Sequence, residues 1–274
     1  MSLAQAPQSI GVIISTYNAA PFLRLTLAGY ARQTHRDFSI YIADDGSGPE
    51  IAGVIEDFRQ SSNIRIQHFW HEDKGYRRAG IINRALAAVD EPYILLTDAD
   101  CVPLPALLST HLRLAEPGMF MRGSRVMLTQ GITEQLAARG EWNPDMGRMQ
   151  WLRWRLAGHI NRLLPIFTPP HTSQAGTKLY GIRGCHFSFW HEDILKVNGF
   201  DASYEGWGRE DSDLAARLFH AGVMRKNLYG MPVLHLWHKE ASRNRLAGND
   251  VILQECLDSK RVRARVGIAE LDSA

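Results

Sequence analysis

The strongest constraint on this chain is a rhythm in its first hundred residues. Four short runs rich in β-branched and apolar side chains begin at residues 10, 39, 64 and 93, so they are 25 to 29 residues apart. Between them, 20–32, 49–60 and 78–89 repeat apolar residues at helical spacing. That interval is one strand plus one returning helix, and the pattern predicts an α/β fold with a mostly parallel central sheet flanked by helices. Sheets of this kind collect ligands beyond the carboxyl ends of their strands. The informative residues are therefore those that follow each strand: Ser15-Thr16-Tyr17-Asn18, Asp44-Asp45-Gly46-Ser47 and Asp98-Ala99-Asp100.

The second half is less regular. Residues 146–164 read as one helix, with Met149, Leu152, Leu156, Ile160 and Leu163 on an apolar face and Arg148, Arg155 and Arg162 on a basic stripe. Pro165, Pro169 and Pro170 end it. A strand is expected over 181–190, a helix over 211–221 closed by Gly222, a short apolar run over 232–236 and a last helix over 250–259. With 31 Lys and Arg against 29 Asp and Glu, the net charge of +2 lacks the basic excess of a nucleic-acid binder. A hydrophobic content of 45% excludes a disordered chain. No apolar run is long enough to cross a membrane, and no basic segment followed by an apolar one opens the chain, so a cytoplasmic protein is expected. Cys101, Cys185 and Cys256, odd in number and far apart, fit a reduced interior.

Several constellations could carry chemistry. Asp98 and Asp100, two apart where a strand turns, can converge on one divalent cation, or serve as a cap and a solvated acid before a helix. Asp44 and Asp45 can accept from a base N–H or a ribose hydroxyl, or close a simple turn. Ser15 and Tyr17 offer a hydroxyl and an aromatic face. Arg77 and Arg78 stand at a helix start, where the dipole opposes them, and suit a bound anion or a solvated first turn. Gly206-Trp-Gly-Arg-Glu-Asp-Ser-Asp213 places Trp207 between two glycines, ahead of three acids. Capping explains the acids but not Trp207, which is a platform for a sugar ring beside a proton-accepting carboxylate. His235 and His238 would point to opposite faces of a strand unless the strand ends between them.

At these residues the chain resembles the inverting nucleotide-sugar glycosyltransferases of family 2 type with the GT-A (Rossmann-like) fold. The resemblance lies in Val12-Ile-Ile-Ser-Thr-Tyr-Asn18, Asp44-Asp-Gly-Ser47, Leu96-Thr-Asp-Ala-Asp100, Gly199-Phe-Asp201, Gly206-Trp-Gly-Arg-Glu-Asp211 and Gly222. The segment around Trp207 is similar to β1,4-galactosyltransferases. It implies that Ser15, Tyr17, Asp44, Asp45, Arg77 and Asp98 bind the uridine and ribose of a UDP-sugar. It further implies that Asp98, Asp100 and His235 hold Mn²⁺ or Mg²⁺, that Trp207 and Glu210 bind the acceptor, and that Asp211 is the catalytic base. His186 stands where these enzymes often carry Asn.

The expected organisation is an N-terminal tail (1–8), a GT-A domain (9–240) and a C-terminal tail (241–274). The domain divides into a nucleotide-sugar half (9–130), a helical insertion (131–176) and an acceptor half (177–240). The expected activity is metal-dependent transfer of a hexose or N-acetylhexosamine to a saccharide or lipid-linked saccharide. The 146–164 helix is expected to pack on the domain, its arginines in solvent and its tryptophans shaping the acceptor cleft, with peripheral contact at the inner membrane face as the alternative. Competing readings are a non-catalytic nucleotide-sugar-binding protein and a sugar-nucleotide pyrophosphorylase. The latter normally has a Gly-rich basic loop after its first strand, where this chain has Ser15-Thr16-Tyr17-Asn18.

Overall fold

Both faces of the central sheet are covered, which is why its strands read as nearly continuous apolar runs. A computed structural model describes residues 6–174 and 176–273; residues 1–5 of the expected 1–8 tail, Ala175 and Ala274 lie outside it. Among the described residues, eleven strands form two sheets. They are β1 (Ile10–Thr16), β2 (Phe38–Asp44), β3 (Ile66–Trp70), β4 (Tyr93–Asp98), β5 (Cys101–Val102), β6 (Met119–Arg122), β7 (Arg125–Met127), β8 (His171–Gln174), β9 (His186–Trp190), β10 (Met224–Tyr229) and β11 (Val233–His235). The larger sheet runs β3-β2-β1-β4-β9-β6-β10-β8, with four of its seven pairings parallel. The smaller runs β5-β11-β7.

The helices are α1 (Ala20–Ala31), α2 (Pro49–Ser61), α3 (Arg78–Leu86), α4 (Leu107–Leu114), α5 (Gln130–Arg139), α6 (Arg148–Leu156), α7 (Leu164–Phe167), α8 (His191–Lys196), α9 (Glu210–His220) and α10 (Leu246–Asp258). The period-2 alternation of β1 divides the core. Val12 and Ile14 join Leu23, Leu27, Ile51 and Val54 on the α1–α2 side. Ile13 joins Ile81, Ile82, Leu214 and Leu218 on the α3–α9 side. Each such fully buried aliphatic side chain contributes about 1.5–3 kcal/mol. The parallel register then aligns Ser15 with Asp98 and Thr16 with Asp44, so three candidate site segments end at one edge.

Three expectations are corrected. The 146–164 helix is broken: α6 stops at Leu156, Gly158 takes a φ of +73°, and Ile160 bridges Leu128 while the Asn161 N–H donates to the Met127 carbonyl. Its inward side is also different. Trp151 and Trp154 are buried, Trp154 stacking on Trp142 at 5.5 Å, whereas Met149, Leu152 and Leu156 face solvent, because the indoles remove more apolar area from water. Arg162 leaves the stripe and donates to the Arg125 carbonyl. The expected strand over 181–190 begins only at His186, since the Gly181 carbonyl is taken by Arg122 and the Gly184 N–H by Asp211. Within the expected 241–274 tail, α10 packs beside α9, and Arg261 pairs with Asp201 and Asp213.

His186 lies inside the sheet, in a hydrogen-bonded chain whose direction is fixed by its end. The Ser124 carbonyl can only accept, so His186 Nδ1 donates to it (2.9 Å) and Nε2 must accept from His111 Nε2 (2.8 Å). His111 Nδ1 then accepts from the Ser188 hydroxyl, which accepts from Tyr93. Burial pushes His186 down to about 4, and burial with His186 nearby holds His111 well below its usual value. Both rings are neutral in the folded chain, whereas unfolded histidines protonate near pH 6.5. Stability is therefore fully present above that pH and lost as pH falls toward 4. Urea unfolding of His186→Asn should show a shallower acid loss than wild type, by about 1.4 kcal/mol per pH unit for the proton no longer taken up. Equal slopes would mean that the pair does not titrate on unfolding.

Candidate active site

Arg78, the first residue of α3, is buried beside the ends of β1 and β4. Its Nη2 meets Asp98 Oδ1 at 2.8 Å, Nε donates to Ser15 Oγ at 3.0 Å, and Nη1 lies 3.3 Å from Asp211 and 3.7 Å from Glu210. Ser15 also donates to Asp98 at 2.6 Å. Burial opposes the guanidinium charge, but Asp98, Asp211 and Glu210 outweigh it and hold Arg78 protonated well above its usual range. One cation facing three carboxylates leaves an excess of negative charge. Burial and then Asp211 push Glu210 up to about 7, and burial raises Asp211 as well. The Gly184 N–H donates to Asp211 Oδ2 at 2.6 Å and fixes its direction.

Along the same edge, the Ser47 N–H donates to Asp44 Oδ1, and His68 lies 2.9 Å from the other Asp44 oxygen. Asp45 pairs with His71 at 2.7 Å and accepts from the Arg77 N–H at 2.9 Å. Arg77 thus contributes its backbone, while its side chain turns to the Glu72 carbonyl. The Tyr17 hydroxyl donates to Asp73, leaving its ring half exposed; Trp70 is equally exposed, and its indole N–H donates to the Ser47 carbonyl. Two open aromatic faces therefore flank buried acceptors.

A second cluster forms around Asp100. Pairing of β5 with β11 sets His235 opposite Cys101, and the Leu236 N–H donates to the Asp100 carbonyl. The strand ends at His235, so His238 swings back: its Nε2 lies 3.0 Å from Asp100 Oδ2, and His235 Nε2 lies 3.8 Å from Oδ1. Ligand atoms of Asp100, His235 and His238 all lie within 4.8 Å of one another. Asp98 is not in this group; it stays with Arg78 and Ser15. The His235–Asp100 gap is too long for a hydrogen bond, and His235 Nδ1 is buried without a partner. Two imidazoles and a carboxylate, incompletely satisfied by each other, fit a divalent cation.

The loop before α9 needs its glycines. Gly206 and Gly208 have φ of +70° and +111°, and a Cβ on either would lie within 2.9 Å of Arg245 or Leu246. That close approach to α10 presents Trp207 to solvent under the Arg243 guanidinium, 5.3 Å from the ring. Glu210 is held by the Gly208 N–H and the Tyr76 hydroxyl.

Reading by residue type thus picked Ser15, Asp98, Glu210 and Asp211, which converge, and Asp44, Asp45 and Tyr17, which lie along the same edge. It gave Arg77 the role of side-chain contact, whereas Arg78 reaches the centre. It passed over His68, Trp70 and His71. Their signal was available: they end the third strand, the one strand end left unread.

A carboxylate cluster and a His–Asp group thus gather at the strand ends of an α/β sheet, and comparison with known proteins gives the family. The profile of glycosyl transferase family 2 matches residues 11–178, and that of the N-terminal domain of galactosyltransferase matches residues 172–239. This chain belongs to glycosyl transferase family 2. It is 24% identical over 271 residues to the chondroitin synthase of Escherichia coli, covering 89% of this chain and 37% of that one. It is 26% identical over 257 residues to the validoxylamine A glucosyltransferase of Streptomyces hygroscopicus subsp. jinggangensis, covering 88% and 59%. The chain therefore spans less than two thirds of the length of these relatives. The crystal structure of S. aureus TarS 1-349 in complex with UDP-GlcNAc superposes with a TM-score of 0.63 at 12% identity, over 96% of this chain and 69% of that one, which places the chain in the GT-A fold.

Removing the central cation is the sharpest test of this architecture. Arg78→Leu should destabilise the chain by about 3–5 kcal/mol at pH 8, because three carboxylates lose their common partner. The difference from wild type should shrink toward pH 5.5, where Glu210, pushed up to about 7, takes a proton. Denaturant titrations at the two pH values check both statements.

Proposed function

We propose that the chain is a metal-dependent inverting glycosyltransferase that moves a hexose or N-acetylhexosamine from a UDP-sugar to a hydroxyl of a saccharide acceptor. The observation that carries this reading is the crevice itself. Nucleoside-type acceptors, a His–Asp cation site and a carboxylate held by Arg78 and Gly184 share one edge of the sheet. TarS structures in complex with UDP and UDP-GlcNAc, and relatives named chondroitin and hyaluronan synthases, support the donor class and a saccharide acceptor.

In this reading Asp44, Asp45, Tyr17 and Ser15 hold the uridine, with Trp70 offering a second ring face, and Asp98 takes the ribose. Asp100, His235 and His238 hold the cation, and the two imidazoles favour Mn²⁺ over Mg²⁺. When bound, the ion supplies Lewis-acid neutralisation of the leaving diphosphate. Trp207 stacks on the acceptor sugar and Glu210 orients its hydroxyls. Asp211 takes the proton of the attacking hydroxyl as that oxygen bonds to the anomeric carbon, on the face opposite UDP; the bond to UDP breaks and its electron pair leaves with the diphosphate. The raised pKa of Asp211 improves it as a base near neutral pH.

Asp211→Asn should retain UDP affinity and lose transfer by about 10²–10⁴-fold, since an amide cannot accept the proton. Turnover near the wild-type rate would move the base to Glu210. Calorimetry on EDTA-treated protein should show UDP binding strengthened by Mn²⁺, and Asp100→Ala or His235→Ala should remove that dependence. UDP release that needs acceptor separates a transferase from a non-catalytic binding protein.

A second reading concerns location. No helix among the described residues is long and apolar enough to cross a membrane. The outward side of α6, however, exposes Met149, Leu152 and Leu156 together with Arg148, Arg153 and Arg155, and Leu164 is exposed nearby in α7. We infer peripheral contact with an anionic bilayer through this side. Cosedimentation with anionic vesicles should be salt-sensitive and lost in Met149→Ser/Leu152→Ser/Leu156→Ser; no binding at low salt would refute the contact.

A further inference from the structure

Five arginines without an acidic partner lie on segments that their own backbone contacts tie together. Arg122, Arg125, Arg162, Arg183 and Arg225 come from β6, β7, the turn after α6, the 181–185 segment and β10. Among the described residues none of them forms an ion pair, whereas Arg78, Arg217 and Arg261 are all paired. The whole chain carries only +2, so these five leave the remainder at −3. Such a concentration of one sign, uncompensated, is unfavourable unless a ligand supplies the opposite charge.

The local geometry holds the group together. Arg122 Nε donates to the Gly181 carbonyl at 2.7 Å, and Arg225 Nη1 to the Lys178 carbonyl at 2.6 Å and the Tyr180 carbonyl at 3.2 Å. Both guanidiniums thus fasten the segment that leads into Arg183, and Arg162 fastens the backbone of Arg125. Arg225 is itself buried, and its Nε has no partner. Burial lowers the Arg122 pKa, and Arg183 and Arg225 lower it further; burial, Arg125 and Arg183 do the same to Arg162. Arg183 is therefore close enough to repel both Arg122 and Arg162, with Arg225 adding to the first and Arg125 to the second.

Two links tie this patch to the proposed transfer site. Arg183 precedes Gly184, whose N–H holds Asp211. Arg125 pairs in register with Val233, two residues before His235. Aromatic rings lie beside the charges: Tyr180 is almost fully exposed, and Tyr229 is half exposed and stacked with His171 at 5.2 Å. Guanidiniums bind carboxylate and phosphate oxygens in forked pairs, and ring faces bind the apolar side of a sugar.

We propose that Arg122, Arg125, Arg162, Arg183 and Arg225 form an anion subsite that selects an acidic saccharide acceptor, one bearing carboxylate or phosphodiester groups. The proposal rests on the glycosyltransferase reading only for the direction in which the acceptor lies; binding itself is tested separately. The rings and the neighbourhood of Asp211 favour a saccharide over a lipid surface, which α6 serves on its own.

Calorimetry at low salt with a galacturonate hexamer, a glycerol-phosphate oligomer and maltohexaose tests the proposal directly. At least one acidic oligomer should bind, maltohexaose should not, and the one that binds identifies the oxyanion. Arg125→Ser/Arg162→Ser/Arg183→Ser, and separately the exposed Arg183→Glu, should weaken that binding at least about tenfold, which is about 1.4 kcal/mol, while UDP with Mn²⁺ binds both variants within about twofold of wild type. The intact UDP affinity also shows that the variants are folded. Absence of binding by both acidic oligomers, or binding that the variants leave unchanged, would overturn the subsite. UDP affinity falling in step would assign the arginines to the donor diphosphate and overturn it equally. Vesicle binding lost in these variants, with no oligomer bound, would make the patch a lipid contact. If UDP fails to bind the wild-type chain, the donor reading falls, and the oligomers alone judge the subsite.

Discussion

A single buried guanidinium organises this protein's chemistry. Arg78 joins Ser15 at the end of β1, Asp98 at the end of β4, and Glu210 and Asp211 at the start of α9. Each carboxylate would be costly to bury alone, and three together would repel one another. The cation makes their convergence tolerable without neutralising all of it. The surplus appears as the raised Glu210 and Asp211, the property a general base near neutral pH requires. In the proposed mechanism, structural necessity and catalytic suitability have one electrostatic origin.

The proposed cation site depends on a separate device, the three-stranded sheet. Its pairing of β5 with β11 brings Asp100 from the first half of the chain to His235 and His238 from the second. The Arg78 cluster makes a similar join through α9, so both centres span the halves that the two family profiles match separately. α10 closes the arrangement by packing against the loop glycines, with Asn249 donating to the Glu205 and Gly208 carbonyls. The last thirty or so residues thus support the loop that carries Trp207.

The sheet was legible because β1, β2 and β4 are buried on both faces, and continuous apolar runs at even intervals leave little freedom. The segment over 146–164 was misread because helical spacing marks two faces at once, one of aliphatic residues and one of indoles. Spacing does not reveal which is buried; Trp142, outside the segment, decided it by stacking on Trp154. The choice between Arg77 and Arg78 was hidden for a related reason. Adjacent residues at a helix start point about 100° apart, and only the neighbouring strands show which direction leads inward.

The sequence by itself determined the fold class, the strand ends where ligands gather and the acidic residues at those ends, because periodicity and turn chemistry are local. The tertiary structure decided which side chains meet. It gave the central place to Arg78, made His235 and His238 neighbours by ending β11 between them, and buried His186 in a neutral chain with His111. It also gathered five arginines from separate segments into one uncompensated patch. These are pairings over long sequence separations, and their energies depend on burial and on distances of a few ångströms. No local pattern encodes such distances; the packing of the two sheets sets them.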